Sequence, residues 1–373
     1  MRIAFICHHF SEYSFSLALA LSESNHKVLL ILREENALKE LGPKILNNKY
    51  DNLRIVTVPY YSLSMKKPTW IYSAFRLALL AYIFRADVIH THDHSIKDFS
   101  LAMKLIRKPL VVTIHDHIPH TGKDSIIAEA DRKRSHQLWR NADATIVHGK
   151  KIRSELVSEK PWTKNKTFVI NHGVLGQGQV EMIPQTSNVF LFFGRIEEYK
   201  GLSVLLDACD ILNREGVEFE VIVAGRGSDL ENHKERIKSI PQVTLEESYI
   251  PAQEIPMYFN KAKAVLMPYL DATQSGVACL AFNFGCPVIA TDVGSLSETI
   301  IHDYNGLIVG RADPVALAHQ IKQLINNHEL SKRLSNNALA FAKKELSWNH
   351  ISDQTLRAYK FAQEQHSYGR YKS

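Results

Sequence analysis

What most constrains this chain is a rhythm that runs, stops once and starts again. Short β-branched and apolar runs recur in its first half as RIAFIC, KVLLIL, RIVTVP, DVIHTH, PLVVTIH and ATIVHG, spaced by helix-like stretches such as SFSLALALSESN and IIAEADRKRSHQLWRNA. Runs that are apolar throughout are strands covered on both faces, and the stretches between them are the crossovers that parallel strands require. The segment INHGVLGQGQVEMIPQTSN, rich in Gly, Gln and Pro and without a period, breaks the pattern, which resumes with NVFLFFG, FEVIVAG, QVTLEE, AVLMPY and PVIAT. At 373 residues the chain is too long for one ordinary core. The expectation is an α/β protein of two Rossmann-like, doubly wound domains, 1–175 and 176–347, facing across a cleft. Residues 348–373 read as one long amphipathic helix ending in a frayed basic tail, YGRYKS.

The bulk numbers exclude several classes. With 45% hydrophobic and 23% charged residues the chain is neither disordered nor fibrous. Cys7, Cys209, Cys279 and Cys286 have no metal-ligand spacing and imply no disulfide framework, which suits a reducing cytosol. The opening MRIAFICHHF lacks the apolar stretch of a secretory leader, so the expected location is cytoplasmic. The most apolar helical stretch, WIYSAFRLALLAYIF, contains Arg76 and falls short of the roughly 20 residues a membrane span needs. Net charge is +6, divided as +10 over residues 1–175 and −4 over the remainder. That asymmetry reads either as a solvated basic face or as a surface for an anionic partner.

The stretch FFGRIEEYKG gives the chemistry its first address. A strand ends at Gly194, whose freedom allows a tight turn, and Arg195 and Lys200 follow near a helix start whose free N–H groups favour negative charge. Arg brings a planar fork and Lys a compact charge, a pair suited to a phosphate or diphosphate. From this stretch alone, two solvated surface cations beside Glu197 and Glu198 would read equally well. A second stretch, MPYLDATQSGVACLAFNFG, has the same design: a strand, a small polar loop, and a helix start where the amides of Ser275, Gly276 and Val277 form a second anion-accepting edge.

These motifs resemble the GT-B-fold retaining glycosyltransferases of family 4, which transfer a sugar from a nucleotide diphosphate donor. FFGRIEEYKGLSVLLDA is similar to that family's Gly-Arg, four residues, Lys-Gly signature, and GCPVIATDVGSLSETIIHDYNGLIV to its donor-domain core. ADVIHTHD, LVVTIHD, INHGV, VIVAGRGSDLE, IPAQEIPMYFNKAKAVLMPY and LSWNHISDQTLRAY fall in the family's order, so the likeness spans nearly the whole chain. It implies that Arg195 and Lys200 bind the donor diphosphate and that His115 reaches the transferred sugar or the phosphate. Gly194, Gly225, Ile250, Asp271, Thr273, Gln274, Ser275, Gly276 and Val277 would line the donor site, with main chain around Tyr249, Ile250 and Pro251 meeting the nucleobase. The closing helix would cross back to the first domain.

The chain departs from the family in two places. Ala272 and Leu280 stand where many members carry two glutamates that hold the sugar and the ribose. The usual Gly-Gly loop after the first strand is replaced by CHHFSEYS, which makes His8, His9 and Ser11 the candidates for an acceptor or sugar loop. With no Asp-x-Asp motif, no metal and no obligatory cofactor is expected; the co-substrate is a UDP or GDP sugar. The expected partners are that donor, a glycan or lipid-linked acceptor and an anionic membrane surface, not nucleic acid.

Three further readings stand beside this one. They are a sugar-nucleotide-binding protein without turnover, a nucleotide-sugar epimerase or glycan phosphorylase of the same fold, and a metal hydrolase suggested by HTHDH and HDHIPH. The stretch MKKPTWIYSAFRLALLAYIFR and the cluster DRKRSHQLWR suit a protein lying on an anionic membrane. Alternatively, Trp70, Tyr72, Phe75, Leu79 and Tyr82 form the core face of a first-domain helix.

Overall fold

The apolar runs fold into two all-parallel sheets. The computed structural model describes residues 1–59, 69–92, 97–115, 124–176, 188–272 and 275–371. The first sheet holds β1 (Arg2–Cys7), β2 (Lys27–Arg33), β3 (Leu53–Val58), β4 (Val88–His92), β5 (Leu110–Ile114), β6 (Ala144–Val147) and β7 (Thr167–Val169), in the spatial order β3-β2-β1-β4-β5-β6-β7. The second holds β8 (Val189–Phe193), β9 (Glu220–Ala224), β10 (Val243–Glu246), β11 (Ala264–Met267), β12 (Val288–Thr291) and β13 (Gly306–Val309), in the order β10-β9-β8-β11-β12-β13. Each sheet therefore winds outward in both directions from its first strand. The crevice such a sheet offers a ligand lies at the carboxyl ends of the two strands where the winding reverses: β1 and β4 in the first sheet, β8 and β11 in the second.

Two strands escaped the sequence reading, β7 and β13. Both lie at sheet edges; β7 is only three residues long, and β13 opens on Gly306 directly after Asn305, a pair that reads as a turn. Compact packing assigns Met1–Pro119, Ser125–Gly173 and Trp348–Ser373 to one unit and Val174–Ser347 to the second. The frayed tail is corrected by the structure, where the helix Trp348–Tyr371 continues through most of YGRYKS.

Strand alternation supplies two cores to each sheet. On β1, Ile3, Phe5 and Cys7 face a cluster that includes Ile351, Ala358 and Tyr359 of the closing helix. Ala4 and Ile6 face the other side, with Leu77 and Phe99. The closing helix docks through Ile351, Thr355, Ala358, Tyr359 and Ala362, spaced at threes and fours along one stripe. The fully buried Tyr359 hydroxyl lies 2.7 Å from Nδ1 of His90 on β4, so the helix is fastened by a polar contact inside an apolar seam. In the second unit, the helix Leu202–Arg214 buries Leu202, Leu205, Leu206, Cys209 and Leu212, a stripe at the helical period, against Phe190 and Phe192 of β8.

The helix Thr69–Ile83 does not follow the core-face reading. Its buried side is Ser73, Ala74, Leu77 and Ala81, while Tyr72, Phe75, Leu79 and Tyr82 are exposed. Small residues at the buried positions let the helix pack closely, and the large ones are left outside.

Candidate functional site

The second unit builds a site where β8 and β11 end. Gly194, at φ +107, takes a backbone conformation that side chains disfavour, and its amide donates to the Ala224 carbonyl at 3.0 Å. Gly225 (φ +148) packs so tightly on this turn that a Cβ there would lie 1.9 Å from the Gly194 carbonyl oxygen. The loop after β8 is tied to the loop after β11 as well. The Leu270 amide donates to the Tyr199 carbonyl at 2.6 Å, and a Cβ on Gly201 would strike the Pro268 carbonyl at 2.0 Å.

Lys200 ends a short 3-10 turn, Glu198–Lys200, which swings its side chain inward. The ammonium donates to the Tyr269 hydroxyl at 3.0 Å and lies 4.9 Å from the centre of that ring. It sits 3.4 Å from where a Gly194 Cβ would stand, a point itself 3.7 Å from the Val277 side chain. Lys200 is only 7% exposed. Among the described residues no carboxylate pairs with it, and burying an ammonium beside a phenol alone is costly until an anion joins it. Arg195 is exposed, so the two cations expected to act together occupy different environments.

Ser275 caps the helix Gly276–Asn283 by accepting from the Val277 amide at 3.2 Å. That corrects one expectation: of the three amides proposed for an anion edge, Val277's is already engaged. Asp271 is half-buried, Ile250 buried, and Tyr249 lies under the Arg226 guanidinium at 6.0 Å. Ala272 and Leu280, at the positions of the family's glutamates, are buried in an apolar cluster. Thr273 and Gln274 lie outside the described residues. Tyr269 was not anticipated, since an aromatic two residues past a strand reads as core.

In the first unit, histidines gather at the carboxyl end of the sheet. His8 follows β1, His92 ends β4, His115 follows β5, His148 follows β6 and His172 lies three residues beyond β7. The ring of His115 stacks on Phe10 at 4.0 Å and lies 4.9 Å from that of His148, which is 5.1 Å from His172. Ser14 donates its hydroxyl proton to the Phe10 carbonyl at 2.7 Å, so its oxygen is left to accept from Nε2 of His92 at 2.9 Å. A neutral His92 then accepts at Nδ1 from Nε2 of His115, 2.8 Å away. The relay fixes the tautomer of neutral His115, with its lone pair on Nδ1. Phe10 holds a left-handed conformation (φ 61) at the start of this relay, strain of about 1–2 kcal/mol that its stacking on His115 offsets.

The loop residues after β1 separate in the structure. His8 is buried and accepts at Nδ1 from Nε of Arg33 at 2.9 Å, His9 is exposed, and the buried Ser11 hydroxyl accepts from Asn36 at 2.8 Å. Arg33 also pairs with Asp98, which Ser73 bonds at 2.6 Å. Burial pushes the Asp98 carboxyl up, but Ser73, Arg33 and His8 together hold it below its ordinary range. Burial lowers His90 to about 3 and His172 to about 4, so both rings are neutral at pH 7.

Two candidate ligands of the hydrolase reading are engaged elsewhere. His90 spends both nitrogens on Tyr359 and Thr113, and His92 spends both on Ser14 and His115. Asp93, His94 and the segment after His115 lie outside the described residues; among those described, no group of three His, Cys, Asp or Glu is placed to hold a metal. The signal that could have revealed the histidine cluster was its regularity, one ring at or shortly after the end of five strands.

Comparison with known proteins gives the chain its family. Residues 11–174 match the Glycosyltransferase Family 4 model and residues 177–341 match Glycosyl transferases group 1. An uncharacterized glycosyltransferase of Methanocaldococcus jannaschii is 27% identical over 313 residues, 81% of this chain and 83% of that protein. A D-inositol 3-phosphate glycosyltransferase of Corynebacterium efficiens is 24% identical, covering 83% of this chain and 80% of that one. Among solved structures, Anabaena HepE in complex with UDP-glucose superposes with a TM-score of 0.73 at 16% identity, over 96% of this chain and 99% of that one. With two consecutive glycosyltransferase models spanning its two sheets, the chain belongs to the glycosyltransferases of GT-B type.

Proposed function

We propose that the protein moves a sugar from a UDP or GDP sugar to a glycan or lipid-linked acceptor, with retention at the anomeric carbon and without an obligatory divalent metal. The observation that carries this reading is the buried Lys200 ammonium, which pairs with no carboxylate among the described residues and lies at the crevice where β8 and β11 end. As the bond from the anomeric carbon to the diphosphate oxygen breaks, negative charge grows on the leaving group. Lys200, Arg195 and the amides at Ser275 and Gly276 stabilise it, and preorganised donors act most strongly where charge develops. The acceptor hydroxyl attacks from the same face and passes its proton to the departing phosphate oxygen. His115, held in one tautomer by His92 and Ser14, serves the transferred sugar. Sugar contacts that the family draws from glutamates come instead from Asp271, Thr273, Gln274, Ser275 or main chain, and Gly225 and Ile250 contribute to the nucleotide pocket. The setting is the cytoplasmic face of the membrane, in assembly of cell-surface glycans.

The buried Ala272 and Leu280 favour a second reading, a sugar-nucleotide-binding protein without turnover. A panel of UDP, GDP and ADP sugars separates the two. Thermal stabilisation by one nucleotide class, followed by release of its diphosphate in the presence of chelator, supports the transferase. Stabilisation without release supports the binding protein.

A further inference from the structure

The helix Thr69–Ile83 leaves an apolar face in solvent. Tyr72 is 64% exposed, Phe75 57%, Leu79 57%, Tyr82 81% and Ile83 64%. At 100° per residue these five fall on one side, opposite the buried Ser73, Leu77 and Ala81. Arg76 borders the stripe, and the helix contains no acidic residue. At its N-terminal end, Trp70 shares a cavity of about 550 Å³ with four cations, Lys104, Arg107, Lys108 and Arg134, and one acid, Asp143. Among the described residues no helix is long and apolar enough to cross a membrane.

From this arrangement we infer that the exposed face of Thr69–Ile83 seats the protein on an anionic lipid bilayer. Phe75, Leu79 and Ile83 enter the boundary between headgroups and acyl chains, the tyrosines lie at headgroup level, and the neighbouring cations meet lipid phosphates. Charge decides the occupant: the helix carries Arg76 and no acid, so an anionic surface complements both the helix and the +10 of the first 175 residues. The inference rests on the membrane location proposed above and gives that location its surface.

The test compares the full chain with its Phe75→Gln/Leu79→Gln variant by co-sedimentation with phosphatidylglycerol-containing and pure phosphatidylcholine vesicles, at low and high salt. The parent binds the anionic vesicles and loses binding as salt rises. The variant binds about tenfold less or weaker still, because two apolar side chains no longer enter the interface. Its melting temperature and its affinity for nucleoside diphosphate are unchanged, since both positions are at the surface. No binding of the parent to either vesicle overturns the location and the surface together. Equal binding of parent and variant leaves the location standing and overturns the surface. A dimer of the parent that the variant dissolves assigns the face to a second copy.

Discussion

Replacing Lys200 by Met keeps most of the buried stem and removes only the charge. In the native site the ammonium has one phenol and one aromatic face for company, and no carboxylate among the described residues. The ligand-free protein therefore loses a costly feature, and the variant is expected to melt at the parent temperature or above it. Diphosphate binding responds in the opposite sense. A charge-assisted hydrogen bond of about 1.5–3 kcal/mol disappears, which is about 10- to 100-fold in affinity. Calorimetric titration with a nucleoside diphosphate and with its parent nucleoside reads this directly, because only the first ligand carries the anion. The expected result is weaker diphosphate binding with nucleoside binding unchanged. Equal affinity of parent and variant for the diphosphate would refute the argument, and so would a parallel loss for both ligands, which would mean a rearranged pocket.

Backbone, protonation and tautomer each give a further expectation. Gly225→Ala, whose Cβ would meet the Gly194 carbonyl at 1.9 Å, lowers unfolding free energy by about 3 kcal/mol or more in urea titration. Gly216→Ala, also at positive φ (67°) but with nothing within 4 Å, costs only about 1–2 kcal/mol. His90 and His172 have folded-state values lowered by burial to about 3 and about 4, so the unfolded chain takes up their protons first as pH falls below about 6.5. Their stability contribution is whole above that pH and lost as pH falls toward 4, by about 2 kcal/mol per ring at pH 5. A urea midpoint that does not change between roughly pH 7 and roughly pH 5 contradicts the buried neutral rings. His92→Phe keeps an aromatic ring but removes the acceptor for His115, so kcat falls with little change in KM and the acid limb of the pH-rate profile moves. An unaltered profile leaves His92 a packing residue.

The parts of this molecule that the sequence made legible are those written in local pattern. Eleven strand runs announced themselves because parallel strands buried on both faces must be apolar throughout, while Thr167–Val169 has only three residues and Gly306–Val309 opens on an Asn-Gly pair that reads as a turn. Gly194 and Lys200 were readable as an anion motif, but the 3-10 turn that buries Lys200 against Tyr269 was not, because those residues meet only across 69 positions of sequence. The relay through Ser14, His92 and His115 spans three separate segments, so nothing local marks it. The helix Thr69–Ile83 shows the limit of amphipathic patterning. Both of its faces are apolar, and only the packing of small Ser73, Ala74 and Ala81 against the sheet decides which is outside.

The claim that this chain transfers sugar with retention is tested most directly by proton NMR of a running reaction. Purified protein, the nucleotide sugar that stabilises it best and an acceptor glycan are combined in chelator, and the anomeric proton of the product is read as the diphosphate appears. The account predicts stoichiometric diphosphate release and a product with the donor's anomeric configuration. An inverted product would contradict retention, activity lost in chelator would contradict metal independence, and a bound donor that never turns over would make this a binding protein.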